Sequence, residues 1–184
     1  MYSPIMEVKI HIKDPILRCY FVGRFPRQDD GYCLVDSRSL TGMAITSLVS
    51  HSDRVLPSAP DPDDSAVAIR LSRSKYSDPH RGKALFLTPH AEAQINATLK
   101  REFDNDFTAF CSTARVCGFQ VKDAIEAFIQ EYGMETLFRG DIETLKKKFY
   151  RYEVSTRTQL HETLRQKANY AVRKVRRIMN KVAL

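Results

Sequence analysis

Residues 88–116 read TPHAEAQINATLKREFDNDFTAFCSTARV, and this stretch carries the clearest helix signals in the chain. Thr88 is of a residue type that caps helix N-termini, and Pro89 suits the first helical turn. Apolar side chains then recur at steps of three and four residues, which places them on one side of a helix. They are Ile95, Leu99, Phe103, Phe107, Phe110 and Ala114. We therefore expect one long helix that ends before Gly118 and buries this stripe in the core.

Two shorter amphipathic segments follow within residues 119–152. The first predicts a short helix with Gly133 as its C-cap. Its apolar residues are Val121, Ala124, Ile125, Phe128 and Ile129. The second predicts a third helix, which Asp141 can cap at its N-terminus. The inward face of this helix consists of Ile142, Leu145 and Phe149.

Together, these two helices contain the parts of a helix-turn-helix, in which the second helix reads DNA. The candidate nucleic-acid-binding residues of that helix are Thr144, Lys146, Lys147, Lys148, Tyr150 and Arg151. Thr144, Lys147 and Lys148 lie opposite the apolar face, so we expect them to approach base edges. We expect Tyr150 and Arg151 to contact the phosphate backbone of the DNA. The connection Met134–Gly140 is longer than the usual turn, and an ordinary helical hairpin with a solvated basic face is the alternative.

The last thirty residues carry all of the excess positive charge. The chain has 29 Lys/Arg and 22 Asp/Glu, and residues 155–184 contain eight of the former and one of the latter. A fourth helix, capped by Ser155 or Thr156, would display these cations. The candidate phosphate contacts within it are Arg165, Lys167, Arg173, Lys174, Arg176, Arg177 and Lys181. Such a row suits a nucleic-acid backbone, because each neutralised phosphate releases counterions. The alternative is a solvated tail without a partner.

This fourth helix also has an apolar stripe with the spacing of a coiled coil. The stripe consists of Leu164, Ala168, Ala171, Val175, Ile178 and Val182. In a parallel homodimer, Lys167, Lys174 and Lys181 would face no acidic residue, and the core side chains would be mostly small. We therefore expect the stripe to dock on the protein's own helices rather than to form a zipper, leaving the cations outward.

The first 85 residues have mainly strand and turn signals. Residues 6–12 and 16–22 predict a β-hairpin, and Tyr32–Val35 a third short strand. Residues 40–49 have helical spacing, 53–65 predict a surface loop, and Ala66–Leu71 is the last strand candidate. The expected fold class is therefore α+β, with a small antiparallel sheet and a short helix over 1–85 and a helical, basic bundle over 86–184. A single merged domain is the alternative.

Several function classes lack their sequence signals. Neither a glycine-rich phosphate loop nor a G-x-S-x-G elbow occurs, and the cysteines and histidines have no zinc-site spacing. The acidic run Asp61, Asp63 and Asp64 lies in a proline-rich stretch, and no E-x-K follows on the next strand. We therefore expect no enzyme activity, no metal and no cofactor. No apolar stretch predicts a signal peptide or a membrane helix, so we expect a cytoplasmic protein with reduced cysteines and no membrane contact.

These observations favour a non-enzymatic protein that binds double-stranded DNA through its basic C-terminal helices. A regulator or accessory factor of a mobile element or phage would be one setting for it, without support from any particular residue. The first alternative is a protein–protein interaction module, in which the β-rich half docks a partner and the basic helix meets an acidic surface. The second is an RNA-binding protein, although the aromatic strand motifs of common RNA modules are missing.

Overall fold

Five short strands and six helices occur in the part of the chain that the computed structural model describes, namely residues 7–52, 65–71, 84–139 and 142–182. For Glu7, Ala84, Ala171 and 174–182, only the backbone is described. The strands are β1 (Glu7–His11), β2 (Cys33–Val35), β3 (Ser50–Ser52), β4 (Ala66–Leu71) and β5 (Ala84–Phe86). The helices are α1 (Pro15–Arg24), α2 (Leu40–Leu48), α3 (Pro89–Val116), α4 (Val121–Glu131), α5 (Glu135–Phe138) and α6 (Glu143–Val182). The α+β class expected from the sequence is confirmed.

The strands form two small sheets. In the first, β4 lies between β1 and β2, antiparallel to β1 and parallel to β2. Alternate side chains such as Val8, Ile10, Val67 and Ile69 are buried, as expected for a sheet covered on one face. The second sheet pairs β3 with β5 in antiparallel register. Both of its strands have three residues, which is too short for alternation to reveal them in the sequence.

The predicted hairpin is wrong, because residues 16–22 belong to helix α1. The Asp14 carboxylate accepts hydrogen bonds from the backbone N–H groups of Ile16 (2.9 Å) and Leu17 (3.4 Å), which makes Asp14 a helix N-cap. Pro15 stands in the first turn, where its missing N–H costs nothing. Asp-Pro is thus a helix start here rather than a hairpin turn. The buried side chains Leu17, Tyr20 and Phe21 have helical spacing.

Helix α3 matches the prediction closely and is the element against which α1, α2 and α4 pack. The Thr88 hydroxyl accepts the backbone N–H of Ala91 at 3.2 Å, so the predicted cap is confirmed. Phe103 and Phe107 are buried as expected. Phe110 is not, because 41% of its surface is exposed, and Cys111 takes the next inward position. The buried side of α3 therefore continues from Phe107 to Cys111, four residues later, and not to Phe110, three residues later.

Aromatic rings fill the space between α1, α3 and α4. The Phe107 and Phe128 ring centroids lie 5.3 Å apart, edge to face, and the Tyr20 ring lies 5.3 Å from that of Phe103. The Tyr132 ring, just after α4, lies 4.7 Å from that of Phe128 and is tilted by 48° against it. Edge-to-face pairs of this kind add about 0.5–1.5 kcal/mol each beyond the burial of their area. Three helices are therefore joined by one cluster.

A polar network crosses the same layer. Glu102 of α3 is only 5% exposed, and its carboxylate accepts the hydroxyl of Thr41 from α2 and lies 3.6 Å from Arg24 of α1. Arg24 also pairs with Asp106, to which the Tyr20 hydroxyl donates at 2.5 Å. Burial and this hydrogen bond raise the pKa of Tyr20, so the phenol stays protonated. A buried carboxylate without partners would be strongly destabilising. The network therefore favours the arrangement of α1, α2 and α3 in which Arg24 and Thr41 both reach Glu102.

The chain forms two compact units, Met1–Asp141 and Ile142–Leu184. The first contains both sheets and helices α1–α5, and the second contains α6. Gly133 follows α4 with a φ of 62°, a left-handed conformation that confirms the predicted C-cap. The cap expected at Asp141 and the surface loop expected at 53–65 fall outside the described residues, except for Ser65. The expected division into 1–85 and 86–184 stays a prediction.

We expect Phe107→Ala to lower the free energy of unfolding by about 3–5 kcal/mol, because it removes a fully buried ring and leaves a cavity. Urea denaturation followed by circular dichroism would measure the change. Val116→Ala, on the exposed end of the same helix, is the control and should stay within about 0.5 kcal/mol of the wild type. An unchanged midpoint for Phe107→Ala would show that this ring is not part of the core.

Candidate nucleic-acid interface

Helix α6 is a single helix of 40 residues, about 60 Å long. The sequence predicted two helices with a cap at Ser155 or Thr156, and this prediction is wrong. No glycine or proline occurs between residues 143 and 182, so nothing in the covalent chain ends the helix at that point. The nearby Thr158 hydroxyl donates to the Val154 carbonyl at 2.9 Å, the usual arrangement of a threonine in a helix interior.

The first turns of α6 have two distinct sides. Ile142, Leu145 and Phe149 are buried, as predicted. Thr144, Lys147 and Arg151, on the opposite side, are exposed. The structure therefore places three of the predicted contact residues together on one accessible face.

The other three predicted residues of this region differ in their surroundings. Lys148 was expected on the same exposed face, but it is half-buried, because it lies only about a quarter turn from the apolar side of the helix. Lys146 is partly exposed, and its Nζ atom lies 3.2 Å from Glu143 Oε1 one turn earlier. Tyr150 is 45% exposed, with its ring centroid 6.0 Å from that of Phe149. An exposed pair such as Lys146–Glu143 contributes about 0.3–0.5 kcal/mol, so a phosphate can replace the carboxylate at little cost.

From Val154 to Arg173, each side chain that the structure describes is exposed. The sequence predicted that docking would bury the apolar stripe of α6, but Leu164 is 54% exposed and Ala168 is exposed as well. The reason lies in the sequence: Glu153 and Thr156 interrupt the apolar face between Phe149 and the stripe. The remaining stripe residues have no described side chains.

Four exposed cations share one side of α6. Lys147, Arg151, Arg165 and Arg173 are separated by 4, 14 and 8 residues, which keeps them within about 80° of one another around the helix axis. They extend over about 39 Å at 1.5 Å per residue. Lys167 is exposed on another side. Lys174, Arg176, Arg177 and Lys181 continue the helix, which is described there by its backbone.

The two units also differ in net charge. Ile142–Leu184 contains twelve Lys/Arg and three Asp/Glu, a formal charge of +9, whereas Met1–Asp141 contains 17 and 19, a charge of −2. Arg157 is one exposed cation that the predicted set omitted, although it belongs to the same basic run. Such concentration of one sign creates a potential that attracts polyanions.

The helix-turn-helix stays a prediction. Helix α4 ends at Glu131 and α6 begins at Glu143, with the four residues of α5 between them. This connection is longer than the three- or four-residue turn of that motif. It includes Arg139, whose φ of 36° is left-handed.

The described ranges lack two other features, a cluster of metal ligands and a membrane-spanning helix. No group of three or more His, Cys, Asp or Glu side chains there could hold a metal ion. None of the helices described is both long and apolar enough to cross a membrane.

The continuity of α6 can be tested with proline. Thr156→Pro would be tolerated if a helix began at Ser155, since proline suits the first turn. In the continuous helix, it removes a hydrogen bond and clashes with the preceding turn, at a cost of about 3 kcal/mol or more. We expect a loss of ellipticity at 222 nm, whereas Thr156→Ala retains it. Equal spectra for both variants would contradict a continuous α6.

In comparisons with protein-family models, curated proteins and solved structures, no significant match to this chain was found. The candidate interface is therefore defined by the residues of this chain alone.

Proposed function

We propose that this protein binds nucleic acid, specifically double-stranded DNA, without catalysing a reaction on it. The observation that carries the proposal is the exposure of α6 on every described side from Val154 to Arg173, together with its row of cations. A buried helix or an uncharged one could not contact phosphates in this way. Here Lys147, Arg151, Arg165 and Arg173 are all free to approach phosphates from one direction.

The dimensions of α6 also favour duplex DNA. A helix with its side chains is about 10–12 Å wide, and the major groove of B-DNA is about 12 Å wide. A helix enters that groove only where no other part of the protein covers it. The segment from Val154 to Arg173 meets this condition on its described sides, and the part before it meets the condition on the side that carries Thr144 and Lys147.

The residues of α6 divide into two roles under this proposal. Thr144, Lys147 and Lys148 would approach base edges from the N-terminal part of the helix. Positioning on the phosphate backbone would be supplied by Lys146, Tyr150, Arg151, Arg165, Lys167, Arg173, Lys174, Arg176, Arg177 and Lys181.

We place the protein in the cytoplasm, where DNA and reduced thiols occur together. All four cysteines are free thiols. Burial raises the pKa of Cys111 to about 11 and raises that of Cys33 above its ordinary value, so both resist oxidation.

Binding should become less dependent on salt when cations of α6 are removed. We expect replacement of Arg173, Lys174, Arg176 and Arg177 by glutamine to flatten the slope of log K against log salt by about three to four, near one per lost phosphate contact. Fluorescence anisotropy with duplex DNA, single-stranded DNA and structured RNA at several salt concentrations would measure it.

The control has the same charge change in the first unit. It combines glutamine substitutions at Lys13, Arg38, Lys100 and Lys122, whose side chains are exposed. This variant should keep most of the wild-type slope. Equal slopes for the wild type and the α6 variant would contradict the proposed interface, and tighter binding of RNA than of duplex DNA would change the substrate class.

A separate prediction concerns sequence reading. Lys147→Ala should weaken binding to a preferred duplex, selected from a random pool, by about 1–3 kcal/mol, and weaken binding to random duplex less. Arg151→Ala is the comparison, with equal losses expected on both duplexes because it contacts phosphate. Equal losses for Lys147→Ala would make this lysine a phosphate contact and the protein a non-specific binder.

A further inference from the structure

An open apolar groove runs along α3 and α4 within the first unit. Its volume is about 760 Å³. Its lining includes Ala109, Phe110, Ala114, Phe119, Ala127 and Phe128. Phe119 is 63% exposed, and Phe110 also presents much of its ring to solvent. A contiguous apolar surface of this kind typically marks an interaction site, because exposing it to water is unfavourable.

The charged side chains that line the groove are acidic. They are Asp106, which is paired with Arg24 of α1, and Asp123, and no Lys or Arg is among the lining side chains described. Helix α4 adds Glu126 and Glu131 against the single cation Lys122. The groove therefore suits an apolar partner with cations along its edges, and it would repel an acidic one.

Helix α6 has these properties in its exposed segment. Leu160, Leu164 and Ala168 follow one another at steps of four residues and form a narrow apolar strip. Arg157 precedes this strip by about one turn on the same side of the helix, and Arg165 and Lys167 flank it. Between Val154 and Arg173, the described side chains are exposed, so the strip has no partner within those residues.

We propose that the groove of one molecule binds the α6 segment 157–168 of a second copy of this chain. Amphipathic helices bind apolar grooves through residues at this spacing. Because each molecule carries one groove and one segment, two reciprocal contacts between a pair of molecules would close them into a dimer.

This dimer goes beyond the proposed nucleic-acid binding and does not depend on it. The apolar strip and the cations Arg151 and Arg173 lie on different sides of α6. Docking of the strip would therefore leave Arg151 and Arg173 accessible, whereas Arg165 and Lys167 would lie at the edges of the groove. A protein that binds DNA as a monomer would overturn the dimer alone, and a dimer without affinity for DNA would overturn the proposed function alone.

The groove contains its own chemical reporter. Cys117 lines it and is exposed. The other three thiols are less reactive, since burial raises the pKa of Cys19, Cys33 and Cys111. In the variant Ala168→Cys, a short bismaleimide should join residue 168 of one chain to Cys117 of another. We expect a covalent dimer on a denaturing gel at micromolar protein, in a yield that rises with protein concentration.

Three further variants make the test specific. Gln166→Cys places the thiol away from the strip and should give little dimer. Ala127→Glu puts a carboxylate into the groove and should weaken dimerisation by about tenfold or more in sedimentation equilibrium of the full-length protein. Gln130→Glu adds the same charge to α4 outside the groove lining and should have little effect.

The outcomes separate the possible occupants. Covalent dimers with Ala168→Cys, lost with Ala127→Glu but kept with Gln130→Glu, would support the proposal. Cross-linking within a single chain would overturn it, because the groove would then hold the molecule's own helix. A monomer in sedimentation of the wild-type protein at 100 times the cross-linking concentration would overturn it as well. Denaturation midpoints of all variants would show that they fold.

Discussion

Burial of one side of α3 is the constraint on which the first unit depends. Helices α1, α2 and α4 pack against α3, and the rings of Phe103, Phe107 and Phe128 fill the space between them. The buried carboxylate of Glu102 adds a directional requirement, since Thr41 and Arg24 must both reach it. Apolar packing thus supplies the stability, and the carboxylate favours one arrangement over others of similar area.

Two glycines of the first unit lie where another part of the backbone comes very close. A Cβ atom at Gly23 on α1 would lie 3.0 Å from Tyr132, so the backbone of α1 approaches the end of α4 only because this position has no side chain. At Gly42, a Cβ atom would lie 2.0 Å from the Asp36 carbonyl oxygen. Both glycines hence serve packing rather than flexibility.

Helix α3 and its cap were predictable because proline, threonine and a long regular stripe all indicate the same structure. Residues 16–22 were not, since a nearly continuous apolar run satisfies the spacing of a strand and of a helix alike. The decisive feature was the Asp14 cap, which also resembles a turn signal. Strands β3 and β5 are stabilised by pairing between residues far apart in sequence, which no local pattern contains.

The candidate interface was predictable as a set of cations but not as a surface. Counting charge located the basic run of α6, and helical spacing correctly assigned the exposed side of Thr144 and Lys147, but Lys148, assigned to the same side, is half-buried. Whether the apolar stripe of α6 is buried or exposed depends on what packs against it, and the spacing of its residues does not contain that information. Phe110 shows the same limit: its spacing suits the core, yet it borders an open groove.

The exposure of α6 between Val154 and Arg173 has a thermodynamic consequence. A helical segment with exposed side chains is maintained mainly by its own hydrogen bonds, so its order follows a helix–coil equilibrium more than the cooperative unfolding of a core. Like charges along one side oppose helix formation, and a polyanion that neutralises them favours it. Binding and helix formation would then be linked, and heating would weaken affinity well before the first unit unfolds.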